Sequence, residues 1–149
     1  MKGRITLAEA INKLSRYCAQ RERCHSEVRS RLLSLHIYGD DLEEILSRLI
    51  EQDFLNEERF ARSYVSGKFR INKWGRNKIV NGLRARQVSD YCIDKGLEEI
   101  DPEEYRALIR QLIGKQLTTN TFEARQKVVA SLQRKGFETG LILEALKSL

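Results

Sequence analysis

Residues 53–86 read DFLNEERFARSYVSGKFRINKWGRNKIVNGLRAR, and they combine two helical apolar stripes with a high density of positive charge. The apolar positions recur at three- and four-residue steps, which is typical of amphipathic helices. They are Phe60, Ala61, Tyr64, Val65 and Phe69 before a break at residues 72–75, and Ile79 and Leu83 after it. We therefore expect two helices that bury these side chains and leave the intervening Lys and Arg for a partner.

The positive charge of the chain is local. Between residues 59 and 89 there is no Asp or Glu. Nine basic residues stand there: Arg59, Arg62, Lys68, Arg70, Lys73, Arg76, Lys78, Arg84 and Arg86. The whole chain has 27 Lys and Arg against 21 Asp and Glu, so the sequence outside this segment is slightly acidic. A local positive field attracts phosphate backbones or an acidic protein surface, although solvated helix faces carry similar charges.

The apolar pattern around the second of these helices occurs three times. One spacing, with steps of 4, 5, 5 and 4 residues, recurs after 51 residues and again after 49. The three sets are Val28, Leu32, Ile37, Leu42 and Leu46; Ile79, Leu83, Val88, Ile93 and Leu97; and Val128, Leu132, Phe137, Ile142 and Leu146. Such self-similarity indicates a repeat architecture. We predict an all-α fold of three tandem three-helix repeats, residues 1–52, 53–100 and 101–149, in an elongated array of about nine helices that could curve. Neighbouring repeats would complete one another's cores.

Helix starts can be predicted from capping residues. Side chains that accept a hydrogen bond from the first turn, followed by Glu or by Pro, favour an N-terminus. The candidates are Asp40 or Asp41, Asn56, Ser89, Asp101 with Pro102, Thr121 and Thr139; Glu27 occupies the third position of a helix that begins near Cys24.

Composition limits the possible classes of function. The longest apolar runs are far shorter than the ~20 residues of a membrane span, and the first residues do not form a signal peptide, so we expect a cytoplasmic protein without membrane contact. Three cysteines suggest reduced thiols. No phosphate-binding glycine loop, nucleophile elbow or zinc-ligand spacing is present in the sequence. We therefore expect no catalytic residue, no cofactor and no metal.

The candidate binding residues are basic and surround one tryptophan. They are Lys68, Arg70, Lys73, Trp74, Arg76 and Lys78 at the corner between the two helices, Arg84 and Arg86 one helix later, and a weaker patch of Arg125, Lys127, Arg134 and Lys135 in the third repeat. An exposed Trp74 could stack on a base or anchor a protein contact. The single Trp of a small helical protein is also often a core residue that fills a corner, and both interpretations stay open.

Acidic residues lie between the two basic patches. They are Asp90, Asp94, Glu98, Glu99, Asp101, Glu103 and Glu104. Such a cluster would repel phosphate but could meet basic loops of a protein partner. A solvated linker explains the same residues equally well.

Several motifs, taken together, resemble those of the RecX family, regulators of the bacterial recombinase RecA. The motifs are LNEERFA at residues 55–61, the basic stretch from Trp74, Gly75 and Arg76 to Ile79 and Leu83, and RKGF at residues 134–137. The resemblance covers almost the whole chain in order and spacing. It implies an elongated protein of three three-helix repeats that lies in the groove of the RecA filament on single-stranded DNA. It also implies that the protein restrains filament growth, strand exchange, ATP hydrolysis and cleavage of the SOS repressor without hydrolysing ATP itself.

The expected partners are accordingly the RecA filament and, weakly and with strong salt dependence, single-stranded DNA, which the chain would meet as a monomer. Two other functions remain open from the residues alone. A compact three-helix unit with a basic second or third helix could enter the major groove of a duplex as a helix-turn-helix does. A helical scaffold that binds only protein is the other, and it would not depend on Lys73, Arg76 and Lys78.

Overall fold

The computed structural model describes residues 5–149. Within them the chain forms nine α-helices and no β-strand, which confirms the predicted all-α class. The helices are α1 (Leu7–Gln20), α2 (His25–Ser34), α3 (Gly39–Glu51), α4 (Glu57–Arg70), α5 (Arg76–Ala85), α6 (Asp90–Leu97), α7 (Pro102–Gln116), α8 (Phe122–Arg134) and α9 (Thr139–Lys147). Consecutive helices form three-helix repeats, and the predicted divisions after residues 52 and 100 fall between helices.

Most of the predicted caps are present. The side chains of four N-cap residues each accept a hydrogen bond from the backbone N–H three residues later: Asn56 for α4, Ser89 for α6, Asp101 for α7 and Thr121 for α8. Glu27 accepts from the N–H of Cys24 at 3.1 Å and so supports the start of α2. Two predicted caps are wrong. Asp40 and Asp41 lie inside the first turn of α3, whose N-cap is Tyr38, and Thr139 is the first residue of α9. Acidic side chains interact favourably with the helix dipole from within the first turn as well as from the N-cap position. The sequence pattern therefore does not fix the first residue of the helix.

In each repeat the first and third helices pack together: α1 with α3, α4 with α6, and α7 with α9. The helices α4 and α6 approach each other closely, since a Cβ added at Gly96 would lie 2.9 Å from the carbonyl oxygen of Ala61. Gly96 therefore allows the backbones of α4 and α6 to approach each other directly.

The second and third repeats share one hydrophobic core, whereas the first repeat has its own. The shared core contains Phe60, Val65, Ile79 and Leu83 of the second repeat together with Tyr105, Ile109, Val128, Leu132 and Phe137 of the third. The core of the first repeat includes Ala10, Leu14, Leu32, Ile45 and Leu49, and only Cys24 of that repeat joins the shared core. The repeats thus complete one another's cores mainly at the second junction.

At both junctions the start of a second helix donates hydrogen bonds to the next repeat, from backbone N–H groups at the second junction and from a side-chain hydroxyl at the first. Gly75, at the start of α5, donates its N–H to the carbonyl of Lys135 at 2.8 Å, and Asn77 donates to the carbonyl of Gly136 at 2.9 Å. The repeat offset places Ser26 in the position of Asn77, and the Ser26 hydroxyl donates to the carbonyl of Arg86 at 2.8 Å. In both cases the start of a second helix rests on the loop after the second helix of the next repeat.

That loop has a left-handed residue in every repeat. The residue is His36 (φ 61°), Gln87 (φ 61°) and Gly136 (φ 97°). Only the third repeat uses glycine, and there the approach is closest: a Cβ on Gly75 would lie 2.3 Å from the carbonyl carbon of Gly136. At the first junction Cys24, which is fully buried, occupies the position of Gly75, so a side chain is present there where the second junction has none.

Gly75→Ala is expected to lower the free energy of unfolding by about 2 kcal/mol, because the new methyl group would force the backbones at the second junction apart. Gly75 has an ordinary φ of −81°, so the loss would come from the contact alone. Urea denaturation followed by circular dichroism measures the difference. Gly67→Ala is the matched control: its methyl group would meet nothing within 4 Å, and a helical alanine is expected to be neutral or to stabilise by up to about 1 kcal/mol. Equal stability of the two variants would show that the close approach is not a constraint.

Candidate nucleic-acid interface

Five side chains of the second repeat alternate cation and aromatic ring along one surface. We call them the cation–aromatic row: Lys78, Trp74, Lys68, Tyr64 and Arg86. The ammonium nitrogens of Lys78 and Lys68 lie 4.4 Å and 4.8 Å from the Trp74 ring centroid. Lys68 is also 5.5 Å from the Tyr64 ring, and the Arg86 guanidinium is 5.0 Å from it. These distances are within the ~6 Å over which a cation and a ring attract each other.

The corner between α4 and α5 positions Trp74. The Trp74 N–H donates to the carbonyl of Lys68 at 3.1 Å, which turns the chain back at the end of α4. Lys73 occupies the left-handed region with φ 59° and is exposed. The Trp74 ring is half-buried against the shared core and lies between two lysines. The core interpretation of this residue therefore holds in part, because the ring packs against the shared core and is only half-buried, while the stacking role stays a prediction.

Tyr64 is a member of the row that sequence reasoning assigned only to the core. It packs at the edge of the shared core, and its hydroxyl occupies space that a side chain at Gly82 would fill, since a Cβ there would lie 2.1 Å from that oxygen. Burial raises the pKa of the Tyr64 phenol, so the ring stays neutral. The spacing of Tyr64 and Lys68, four residues apart on one helix, could have indicated their contact.

Five of the nine basic residues between residues 59 and 89 are paired with carboxylates. The pairs are Arg59 with Glu22, Arg62 with Glu58, Glu98 and Glu99, Arg70 with Glu104, Arg76 with Glu138, and Arg84 with Asp90. Hydrogen bonds to Glu99, Glu98 and Glu58 raise the pKa of Arg62. Four of the partners belong to the acidic cluster of residues 90–104. Part of that cluster is therefore neither a linker nor a free acidic surface, because it pairs with arginines of the second repeat.

The other four cations of the segment have no carboxylate partner among the described residues. Within residues 5–149, Lys68, Lys73 and Lys78 form no ion pair. Arg86 donates to the carbonyl of Gly82 at 3.0 Å and covers the Tyr64 ring, and it too has no carboxylate partner among those residues. The free positive charge thus lies on the cation–aromatic row and on Lys73 next to it.

Arg76 lies at the second junction rather than in the row. Its guanidinium is 2.8 Å from Glu138 and 4.0 Å from the centroid of the Tyr105 ring. The Arg76 N–H donates to the Tyr105 hydroxyl at 2.9 Å, and that hydroxyl donates to Glu138. Burial, followed by the hydrogen bond to Glu138, raises the pKa of the Tyr105 phenol, which therefore remains a donor. These contacts occupy the Arg76 side chain within the fold.

The basic patch of the third repeat is divided. The carbonyl of Lys135 accepts from the Gly75 N–H, and a Cβ on Gly136 would lie 2.5 Å from the Cβ of Lys78, so the loop that follows α8 adjoins the row. Arg134, the last residue of α8, is exposed. Arg125 and Lys127 lie on α8 instead, where Arg125 donates to the side-chain oxygen of Asn120 at 2.6 Å. The structure therefore brings the backbone of Lys135 and Gly136 next to the start of α5 and to Lys78.

Other kinds of site have little support in the described residues. No three His, Cys, Asp or Glu side chains of residues 5–149 are grouped as metal ligands would be. The three cysteines are free thiols, and burial raises the pKa of Cys18 and Cys24. None of the nine helices has the length and apolar content needed to cross a bilayer.

Comparison with known proteins assigns the repeats to a family. Two family models match: the second three-helix domain of RecX over residues 56–97, and the third three-helix domain of RecX over residues 100–146. The chain belongs to the RecX family. The matched ranges contain the whole cation–aromatic row and both contact partners of the second junction.

Relatives and solved structures agree with this assignment. Proteins named regulatory protein RecX from Bacillus pumilus (strain SAFR-032) and Bacillus subtilis (strain 168) are 28% identical over 135 residues and 26% identical over 145 residues. The alignments cover 88% and 95% of this chain but 51% and 55% of those proteins, so the chain spans about half the length of these curated relatives. A crystal structure of RecX from Lactobacillus salivarius has the same fold, with a TM-score of 0.86, 23% identity and 96% coverage of both chains. A second RecX crystal structure has a TM-score of 0.85 at 24% identity, covering 96% of this chain and 72% of that one.

Two substitutions on α5 of this RecX chain compare a cation that is ion-paired within the fold, Arg76, with one that has no carboxylate partner, Lys78. Arg76→Gln is expected to lower the free energy of unfolding by about 1 kcal/mol, because it removes a partly exposed ion pair and a cation–ring contact. Lys78→Gln is expected to lower it by about 0.5 kcal/mol, since it keeps the Cβ that packs beside Gly136, breaks no ion pair and loses only the exposed cation–ring contact with Trp74. Thermal and urea unfolding of both variants measure this. A greater loss for Lys78→Gln than for Arg76→Gln would contradict the assignment.

Proposed function

We propose that this chain regulates a RecA-type recombinase by binding RecA and its filament on single-stranded DNA, with filament extension as the step most directly restrained. Lower ATPase activity, strand exchange and SOS repressor cleavage would follow from shorter filaments. Family membership supports regulation, and the cation–aromatic row is the observation that carries the nucleic-acid part of the proposal. The row combines unpaired cations with rings, which is the chemistry that single strands require.

The row suits a single strand better than a duplex. The phosphates of a strand of any sequence attract Lys68, Lys73, Lys78 and Arg86, while the ring faces of Trp74 and Tyr64 offer stacking surfaces. Both rings already contact cations, so each base would have to share or displace a lysine. We therefore expect binding to bare single strands to be low-micromolar or weaker. A filament would hold the chain more tightly if several repeats contacted successive subunits, because each further contact would form at high effective concentration.

Inhibition of the DNA-dependent ATPase of RecA tests the regulatory proposal. The unmodified chain is expected to lower the steady-state rate as its concentration rises. The double variant Lys68→Glu/Lys78→Glu should need at least tenfold more protein for the same inhibition, because it reverses two charges of the row. Lys13→Glu/Lys115→Glu is the matched control: it changes the net charge equally at exposed positions of α1 and α7 and should inhibit normally. No inhibition by the unmodified chain at large excess would overturn the proposed regulation.

The salt dependence of binding to single-stranded DNA tests the role of the row separately. For the unmodified chain, the logarithm of the association constant should fall linearly with the logarithm of the salt concentration. Each of Lys68→Gln and Lys78→Gln should reduce that slope by about 0.7, the value for one lost phosphate contact on a single strand. Fluorescence anisotropy of a labelled oligothymidine measures this, with random duplex as competitor. An unchanged slope, or a preference for one duplex sequence, would argue against the assignment.

A further inference from the structure

The third repeat has an open apolar groove between α8 and α9, which we call the α8/α9 groove. Its volume is about 600 Å³, and its apolar lining consists of Phe122, Val129, Ala130, Leu143 and Leu146. Phe122 and Leu143 are 74% and 52% exposed, which is high for large apolar side chains. The volume is within the range of about 300–1,000 Å³ that is typical of ligand-binding clefts. The cation–aromatic row lies on α4, α5 and the loops that follow them, so the groove is a separate surface.

The groove is not a general feature of the repeat. The same three positions, followed through the 51- and 49-residue offsets, become progressively more apolar. They are Glu22, Arg29 and Glu43 in the first repeat, Lys73, Val80 and Asp94 in the second, and Phe122, Val129 and Leu143 in the third. In the first repeat the Arg29 guanidinium on α2 donates two hydrogen bonds to the Glu43 carboxylate on α3, at 2.6 Å and 3.2 Å. The common fold therefore tolerates a charged surface here, and only the third repeat has an apolar one.

A further three-helix repeat, packed against the third repeat as the third packs against the second, would fit the start of α8 poorly. At each junction the start of a second helix donates to the next repeat, from the Gly75 N–H at the second junction and from the Ser26 hydroxyl at the first. In α8 the corresponding residue, Ala124, already lies inside the helix, because α8 begins at Phe122. Its N–H donates to the Thr121 hydroxyl at 3.1 Å and is not available. The extra turn of α8 therefore removes the backbone donor that Gly75 provides at the second junction.

Charge at the rim indicates the chemistry of the occupant. Arg125 and Lys147 line the groove, and within residues 5–149 no Asp or Glu does. Two copies joined face to face would bring these cations together, which disfavours self-association. Four of the five apolar side chains are aliphatic, so the groove has little ring surface on which bases could stack. An apolar partner segment with flanking carboxylates would satisfy both the floor and the rim.

We propose that the α8/α9 groove binds a short amphipathic helix of a protein partner, whose apolar residues enter the groove and whose flanking Asp or Glu residues pair with Arg125 and Lys147. Helix-in-groove binding is the usual mode where two helices leave an apolar cleft between them, and apolar residues at i, i+3 or i+4, and i+7 provide the anchors. The groove would give the chain a protein-binding surface independent of its contact with nucleic acid. The proposal does not depend on recombinase regulation.

Selection from a displayed library of random 14-residue peptides on the immobilised full chain tests this proposal. Enriched peptides are expected to carry apolar residues at helical spacing and a net negative charge. Leu143→Asp, which introduces the residue that the second repeat has at this position, should reduce their binding at least tenfold. Phe122→Lys, with the second repeat's residue at the other exposed position, should do the same. Ile71→Asp is the matched control, because Ile71 is an 80% exposed apolar residue outside the groove.

One enriched peptide, synthesised with its acidic residues and again with lysines in their places, completes the test by fluorescence anisotropy. The acidic form is expected to bind at least fivefold more tightly. Absence of any enriched peptide, equal binding by Leu143→Asp, or equal binding of the two peptide forms would overturn the proposal. Loss of oligothymidine binding in Leu143→Asp would assign the groove to nucleic acid instead. A concentration-dependent dimer that this substitution abolishes would assign it to a second copy of the chain.

Discussion

The contact between Gly75 and Gly136 is the constraint on which the arrangement of the second and third repeats depends. Because the two backbones meet without side chains between them, the N–H groups at the start of α5 reach carbonyls of the following repeat. Tyr105 then bridges the same junction, accepting from the Arg76 N–H and donating to Glu138. A buried hydroxyl with both its donor and its acceptor roles filled specifies one relative position of the repeats. The shared hydrophobic core follows from that close approach.

The extent of the basic surface depends on which arginines form ion pairs with carboxylates as much as on where the lysines lie. Arginines of α4 and α5 form ion pairs with carboxylates that are distant in sequence, such as Arg59 with Glu22 and Arg76 with Glu138. Lysines at the α4–α5 corner are left without such partners and lie against aromatic rings. This division agrees with the chemistry of the two side chains, since the planar guanidinium forms forked contacts with carboxylates and the ammonium group is a compact charge. The cations without a carboxylate partner are therefore fewer than the basic residues of the segment, and they lie on the cation–aromatic row and at Lys73.

The three repeats share a backbone plan but differ in the surfaces they present. The first repeat has a separate hydrophobic core, and the Arg29–Glu43 ion pair joins α2 to α3 at its surface. The second carries the cation–aromatic row, and the third carries the apolar groove. Repeat architectures allow this because core positions fix the stacking while exposed positions vary freely. Separate surfaces on successive repeats would let one small chain contact nucleic acid and protein at the same time.

The sequence by itself determined the helical class, the three repeats and four of the helix caps, because apolar spacing and capping chemistry are local and periodic. It also indicated the corner around Trp74 as the centre of the basic surface. Only the tertiary structure decided which cations are free, since ion pairs such as Arg62 with Glu99 join residues that no local pattern relates. It likewise placed Arg76 at a junction, added Tyr64 to the row and revealed the α8/α9 groove. Each of these depends on how close separate helices come, and that distance is set by packing between repeats such as the contact of Gly75 with Gly136.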